Sequence, residues 1–409
     1  MSERKAVYKR LKTLQFLYFF SSGSATPFYS LYLRDIITYQ DGSPAYPLIG
    51  LIISINGLMG LFSSPIAGYM ADKLKLTGKL ISLFAGITAI GAALMASLPL
   101  FKAAQIPLIT LTAIGVFANI IMGLASRPIV PLIDTETMAA LREDPDSGTH
   151  EFGNAKWFSS LGWATALIIS GTILHFAPYL FLALATQSAA YLILSRIAIR
   201  GDRPAKPGPA PDLGILAKDR PFQLLVTFII MISIATTSSY SFTSYIIEAA
   251  GGGYLLMGII LGLGTITEIP LYRKSSKLLK RYGNIPVISI GVSILALKLI
   301  AFVLIMPLGI PVLLFFIQLL HGIGYSLYSA GTVHLIDLLS HHSLKATYQS
   351  LYQFSWAAGS FLGSLFAGFV VGIGGSPLLM GLDAMIMIVA IGFAFFIMKP
   401  RIKTAIAER

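Results

Sequence analysis

Apolar residues run along this chain in long blocks, and polar residues gather in the short gaps between them. Twelve blocks approach or exceed the roughly 20 residues a helix needs to cross a bilayer. They are 13–33, 47–71, 80–98, 107–133, 157–176, 178–197, 221–248, 254–272, 285–306, 311–335, 347–372 and 377–398. Turn and charge signals separate them at 34–46, 72–79, 99–106, 141–156, 200–220, 251–253, 273–284, 307–311, 340–346 and 374–377; the junction near Pro178 is the least clear. Barrel strands would alternate lipid-facing and lumen-facing residues with a period of two. These blocks are apolar on every side, so the pattern predicts helices.

Composition supports the pattern. Of 409 residues, 55% are hydrophobic and 12% charged, against about 25% charged in soluble domains. Mean hydropathy is +0.77. A disordered chain, a coiled coil and almost any soluble enzyme are excluded, and a polytopic membrane protein is expected. There is no cysteine, so no disulfide framework and no thiolate metal or redox site. A cleavable signal peptide is not expected, because no small-residue cleavage site follows the first apolar run.

The net charge of +12 is a topology signal. Basic residues cluster in 1–12, 72–79, 127–156, 196–220, 273–281, 344–346 and 399–409, leaving only Arg34, Lys102 and Lys298 elsewhere. Both termini and every even-numbered connection are therefore basic. The positive-inside rule then puts both termini in the cytoplasm, and no nucleic-acid partner is expected.

The polar, proline-rich segment 200–220 reads as a stiff solvated linker. It divides the chain into six spans (1–199) and six spans (221–409). Weak echoes cross the divide: FSSGSATPFYSLY at 20–32 with ISIATTSSYSFTSY at 232–245, and FSSLGWA at 158–164 with FSWAAGS at 354–360. Two six-span halves suggest a rocking transporter with its site near mid-membrane.

Charges inside spans are functional candidates, because they are costly in hydrocarbon. Asp134 and Glu136 close span four and Lys156 opens span five, so an Asp134–Lys156 pair is plausible; Glu136 is expected to face water more than Asp134 does. Glu268 in span eight, a turn from Arg273, is a candidate proton acceptor or an interfacial ion partner. Lys298, deep in span nine, needs an acid, a substrate carboxylate or deprotonation. His321 in span ten, a turn from Gln318, carries a group able to change charge near neutral pH. Trp163, Tyr352, Gln353 and Trp356 offer ring faces and an amide to a solute. In the second connection, Gly68, Asp72, Lys73 and Lys79 read as a tight glycine followed by charges able to lock and release the cytoplasmic side. HExxH, P-loop and GxSxG motifs are absent, and His341-His342 alone makes a poor metal site.

Gly68-Tyr-Met-Ala-Asp72-Lys73 with Lys79 resembles the signature loop of the major facilitator superfamily. The motifs together resemble a subfamily that includes phenylpropionate permease-like transporters, nucleoside:proton symporters and, more distantly, the lactose permease. Carrying the resemblance are Phe16-Leu-Tyr-Phe-Phe with Pro27-Phe-Tyr-Ser-Leu-Tyr-Leu, Pro128-Ile-Val-Pro-Leu-Ile-Asp134, Glu151-Phe-Gly with Lys156 and Gly-Trp163, and Glu268, Lys298, Gln318 and His321. It implies an all-α membrane protein with the major facilitator fold: twelve transmembrane helices in two pseudo-symmetric six-helix bundles, both termini cytoplasmic. It also implies proton coupling through Glu268, His321 or Asp134, and a substrate site drawn from Lys156, Trp163, Lys298, Gln318, His321, Tyr352 and Gln353. Lys156 stands where the lactose permease has arginine, so bidentate binding is lost. Pro131, Thr265, Gln318 and Gly324 replace charged residues of that permease, so lactose is not the expected substrate.

The reading is a secondary transporter importing a small organic solute with protons, as a lipid-embedded monomer of the plasma membrane, with no cofactor beyond the proton as coupling ion. The rivals are a proton-coupled exporter of drugs or metabolites and a membrane-embedded enzyme or scramblase. The latter lacks the clustered acids, histidines or nucleophile–base pair it would need.

Overall fold

The structure, a computed structural model, describes residues 2–74, 76–142, 150–198, 219–340 and 345–408. The described residues are almost wholly helical. In order the helices are α1 (Ser2–Ala25), α2 (Tyr29–Ile36), α3 (Tyr46–Leu74), α4 (Thr77–Ala96), α5 (Leu98–Ala103), α6 (Leu108–Ser126), α7 (Ile129–Arg142), α8 (His150–Phe176) and α9 (Phe181–Ala198). They continue with α10 (Arg220–Ala249), α11 (Tyr254–Ile266), α12 (Glu268–Tyr282), α13 (Asn284–Ile305), α14 (Pro311–Leu339), α15 (Lys345–Phe393) and α16 (Lys399–Glu408).

Among the described residues, nine helical stretches are long and apolar enough to cross a membrane, and Phe181–Ile197 is a shorter apolar helix. One of the nine, Leu351–Thr404, runs 54 residues. It is broken at Gly374 and Gly375, where Gly375 takes a φ of +72° that a side chain would resist. That break falls in the separator expected at 374–377. Proline marks other discontinuities: Pro27 sits in a 3₁₀ turn between α1 and α2, and Pro128 follows the end of α6. α10 starts cleanly, since Asp219 accepts a 3.2 Å hydrogen bond from the Phe222 N–H and Pro221 needs no partner.

The chain forms two compact units. Unit 1 comprises Met1–Pro207 and Gly253–Gly262; unit 2 comprises Gly208–Gly252 and Leu263–Arg409. The linker expected at 200–220 lies outside the described residues except for its last two positions.

In lipid, helices associate through close packing rather than a hydrophobic drive, so small residues set the contacts. In unit 1, a Cβ at Gly162 of α8 would collide with the Phe16 carbonyl of α1. In unit 2, Gly291 of α13 and Gly324 of α14 lie backbone against backbone, where an added Cβ would come within 2.6 and 2.8 Å of the facing carbonyl. Gly359 and Gly363 of α15 admit Ser233 and Ile234 of α10 in the same way. The outer surface is apolar, with Ile373 and Phe396 more than four-fifths exposed. Such a surface suits lipid tails, not water.

Candidate functional site

Unit 2 holds a cluster of polar groups inside its apolar helices. Lys298 of α13 is 3% exposed and Asp383, on the second arm of α15, is 0% exposed. The two are electrostatic partners. Asp383 Oδ1 accepts a 2.6 Å hydrogen bond from Ser238 Oγ of α10, while Oδ2 has no hydrogen-bond partner. The Lys298 ammonium lies 5.3 Å from the Phe302 ring centroid, within cation–π range. It lines a small cavity with Thr236, Ser239, Tyr240 and His321. Two charges so deep in apolar packing persist only where each compensates the other.

His321 of α14 stacks on Tyr325 with ring centroids 5.8 Å apart. Its Nδ1 has no hydrogen-bond partner. Lys298 and His321 thus share one cavity, as two of the residues singled out from sequence. Gln318 does not join them. It is 1% exposed and packs against Gly264, with Oε1 unpartnered. Glu268 opens α12 just past the helix break at Thr267 and is buried, with the phenols of Tyr272 and Tyr325 as electrostatic neighbours. Tyr352 is buried and Gln353 is exposed outside the cavity lining. Trp356 meets Tyr325 edge to face at 6.3 Å.

Unit 1 is wired differently. Glu136 is buried and pairs with Arg10 at 2.5 Å. The expectation that Glu136 faces water more than Asp134 is therefore corrected: Arg10, on the first turns of α1, reaches α7 and draws Glu136 inward. Asp134 is the half-buried one, accepting a 2.7 Å hydrogen bond from Gln15 Nε2. Gln15 Oε1 in turn accepts from Ser159 Oγ of α8 at 2.9 Å. The side chain of Lys156 lies outside the described residues. Trp163 is half-buried, edge-on to Phe19 at 6.4 Å and packed against Gly23. Asp72 and Lys73 lie on α3, their side chains outside the described residues, and Lys79 is exposed. Gly68 makes no close approach among the described residues, since a Cβ there would meet nothing within 4 Å.

The model of the MFS_1 like family matches residues 8–379. The chain belongs to this family. The match covers most of the chain and places it among the major facilitator transporters. This family member is similar to the maltose permease of Geobacillus stearothermophilus, 24% identical over 368 residues that cover 87% of this chain and 85% of the permease. It is 26% identical over 185 residues to the raffinose permease of Escherichia coli, covering 44% of this chain and 39% of that one. A crystal structure of the nucleoside transporter NupG shares its fold, with a TM-score of 0.76 at 19% identity over 95% of this chain and 98% of that one. The protein is a multi-pass membrane transporter of the secondary type, acting on a small molecule, and not an enzyme.

Two charges within the apolar stretches of this facilitator, Asp383 buried and Arg127 half-buried, escape a reading of its sequence. Asp383 is the lone acid of an otherwise apolar block, 377–398, and that isolation is a usable signal. Arg127 lies inside the expected span 107–133, yet it counts there among the basic residues of the following connection. The structure places it within the apolar helical stretch Leu108–Thr137.

Proposed function

We propose that the chain is a proton symporter that moves a small organic solute by alternating access. The reading takes twelve transmembrane helices in two six-helix bundles, 1–199 and 221–409, joined by a cytoplasmic linker at 200–220. It places both termini in the cytoplasm and a lipid-surrounded monomer in the plasma membrane, with the proton as coupling ion. Support for twelve comes from the nine described apolar stretches, the break that divides one of them, the shorter Phe181–Ile197 helix, and α1 with its 3₁₀ continuation.

One observation carries the coupling: Lys298 and His321 line one cavity in unit 2, and Asp383, outside that lining, is the electrostatic partner of Lys298. A proton delivered to such a set changes which groups carry charge. The change in charge alters the packing free energy of the helices that carry them, α13, α14 and α15, and of α10, whose Ser238 bonds Asp383. A ligand or proton shifts a conformational equilibrium only by its differential affinity for the two states. Glu268 and Asp134 are further candidate proton carriers, and Gly68, Asp72, Lys73 and Lys79 form the gate on the cytoplasmic side. Lys156, Trp163, Gln318, Tyr352 and Gln353 complete the candidate substrate residues with Lys298 and His321.

The test is solute uptake by proteoliposomes under an imposed pH gradient. Uptake faster with acid outside supports symport. Uptake indifferent to the gradient removes the proton from the scheme.

A further inference from the structure

Arg127, half-buried within an apolar helical stretch, has surroundings that differ from those of Lys298. It caps α6 inside the apolar stretch Leu108–Thr137, about three helical turns before that stretch ends. Its Nε donates a 2.8 Å hydrogen bond to Asn56 Oδ1 of α3. Its methylene stem lies on Gly60, where a Cβ would come within 3.1 Å of Arg127 Cγ. Its electrostatic neighbours are the phenols of Tyr18 and Tyr191, and Tyr191 shares a 2.9 Å hydrogen bond with Ser22.

No carboxylate among the described residues pairs with it. The described acids of unit 1 are engaged elsewhere: Glu136 with Arg10, Asp134 with Gln15, Asp35 with Arg34 and Asp41 with Ser43. An arginine in hydrocarbon without a counter-charge is costly by several kcal/mol. The backbone is also interrupted here. Pro128 and Pro131 carry no N–H, so the carbonyls of Leu124 and Arg127 lose their helical donors. Broken helices at membrane depth are tolerated where they line a cavity or are buried in protein.

The geometry points to a binding site for an anionic group of the solute at Arg127, a carboxylate or comparable oxyanion. With Nε anchored on Asn56, the two terminal nitrogens present their paired N–H donors to one planar oxyanion, the bidentate geometry for which a guanidinium is suited. Tyr18, Tyr191 and Ser22 supply hydroxyls beside it. The anion completes a charge balance that the described residues of unit 1 do not close. The inference names the substrate class within the transporter reading above and rests on it.

The experiment is equilibrium binding to the purified full chain in nanodiscs, followed by melting temperature and calorimetry. The probes are paired anions and neutral analogues: benzoate and benzamide, glucuronate and glucose, lactate and lactamide, with maltose and chloride as further controls. The expected result is that at least one organic anion raises the melting temperature and its neutral analogue does not. Arg127→Gln then weakens that anion by at least about tenfold, as loss of a charge-assisted pair requires. Arg127→Lys, which keeps the charge and loses the fork, weakens it less. Asn56→Asp places a carboxylate on Arg127 and abolishes the response in a protein that melts no lower than the parent. The proposal is overturned if no organic anion shifts the parent, if neutral analogues or chloride shift it as much, or if Arg127→Gln and Asn56→Asp respond as the parent does. Loss of Arg127-dependent binding with pH-driven uptake intact removes only the anion class. Intact binding with uptake indifferent to pH removes only the symport reading.

Discussion

Two cations set within apolar helical stretches, one in each unit, meet opposite arrangements. Lys298 has an acid of its own unit as its electrostatic partner, Asp383, held by Ser238. Arg127 has an amide oxygen, a glycine and two phenols around it, and no carboxylate among the described residues. An internally balanced charge is already neutral to the lipid around it, so it serves best as a switch that one proton can upset. An unbalanced charge has its neutralisation deferred, so it favours whichever ligand brings the missing sign. On one physical rule, that a charge in low dielectric must be matched, the proposed coupling draws on the Lys298–Asp383 pair and the proposed anion site on Arg127.

The sharpest way to break this comparison is to remove one partner at a time. Asp383→Asn removes the acid that acts electrostatically on buried Lys298, and should cost about 1–3 kcal/mol of stability, read as a fall in melting temperature. Lys298→Met should cost a similar amount, and the double variant should recover much of it. A double variant no better than the singles would show that the two residues do not compensate each other. Arg127→Gln should act with the opposite sign. Without ligand it relieves an unmatched charge and should stabilise by about 1 kcal/mol or more. Destabilisation there would mean that unit 1 already matches the arginine.

Smaller effects sharpen the picture. Glu136→Gln removes the acid of a mostly buried pair with Arg10 and should cost about 1–3 kcal/mol, with α1 loosening first in hydrogen exchange. Gly68→Ala should move the melting temperature by no more than about 0.5 kcal/mol equivalent, because the position is open; an effect confined to transport rate would fit a gating loop. The smallest effect is expected at an exposed charge. Ser43 holds the Asp41 carboxyl below its usual range through side-chain and backbone hydrogen bonds. A folded value lowered in this way stabilises the turn fully above the unfolded aspartate range, near pH 4. That contribution fades as pH falls through the lowered value. Amide protection factors around 38–44, exchange rates corrected for the intrinsic pH dependence, should therefore fall below about pH 4, and Ser43→Ala, which keeps only the backbone bond, should shrink the pH step.

Much of the fold is legible in the chain because the bilayer imposes a nearly one-dimensional rule. Trp157–Phe176, Tyr254–Tyr272 and the separator at 374–377 all coincide with helical stretches or breaks, since length and hydropathy alone decide whether a segment suits lipid. Lys298 and His321 are also visible, as polar residues in the wrong solvent. What local pattern cannot give is partnership. Gln353 sits next to Tyr352 in sequence, yet one is exposed and the other buried, because neighbours on a helix point in different directions. Arg127 reads as one more basic residue near a loop until the apolar stretch Leu108–Thr137 is seen to run on past it through a second helix.

The amino-acid order by itself determined that this chain is helical, multi-pass and studded with a few costly charges, because each of those properties depends on a residue and its near neighbours. Only the tertiary structure decided that Lys298 is answered by Asp383, Glu136 by Arg10, and Arg127 by no described acid. Electrostatic matching depends on distance in space, and the helices that bring those groups together are far apart along the chain.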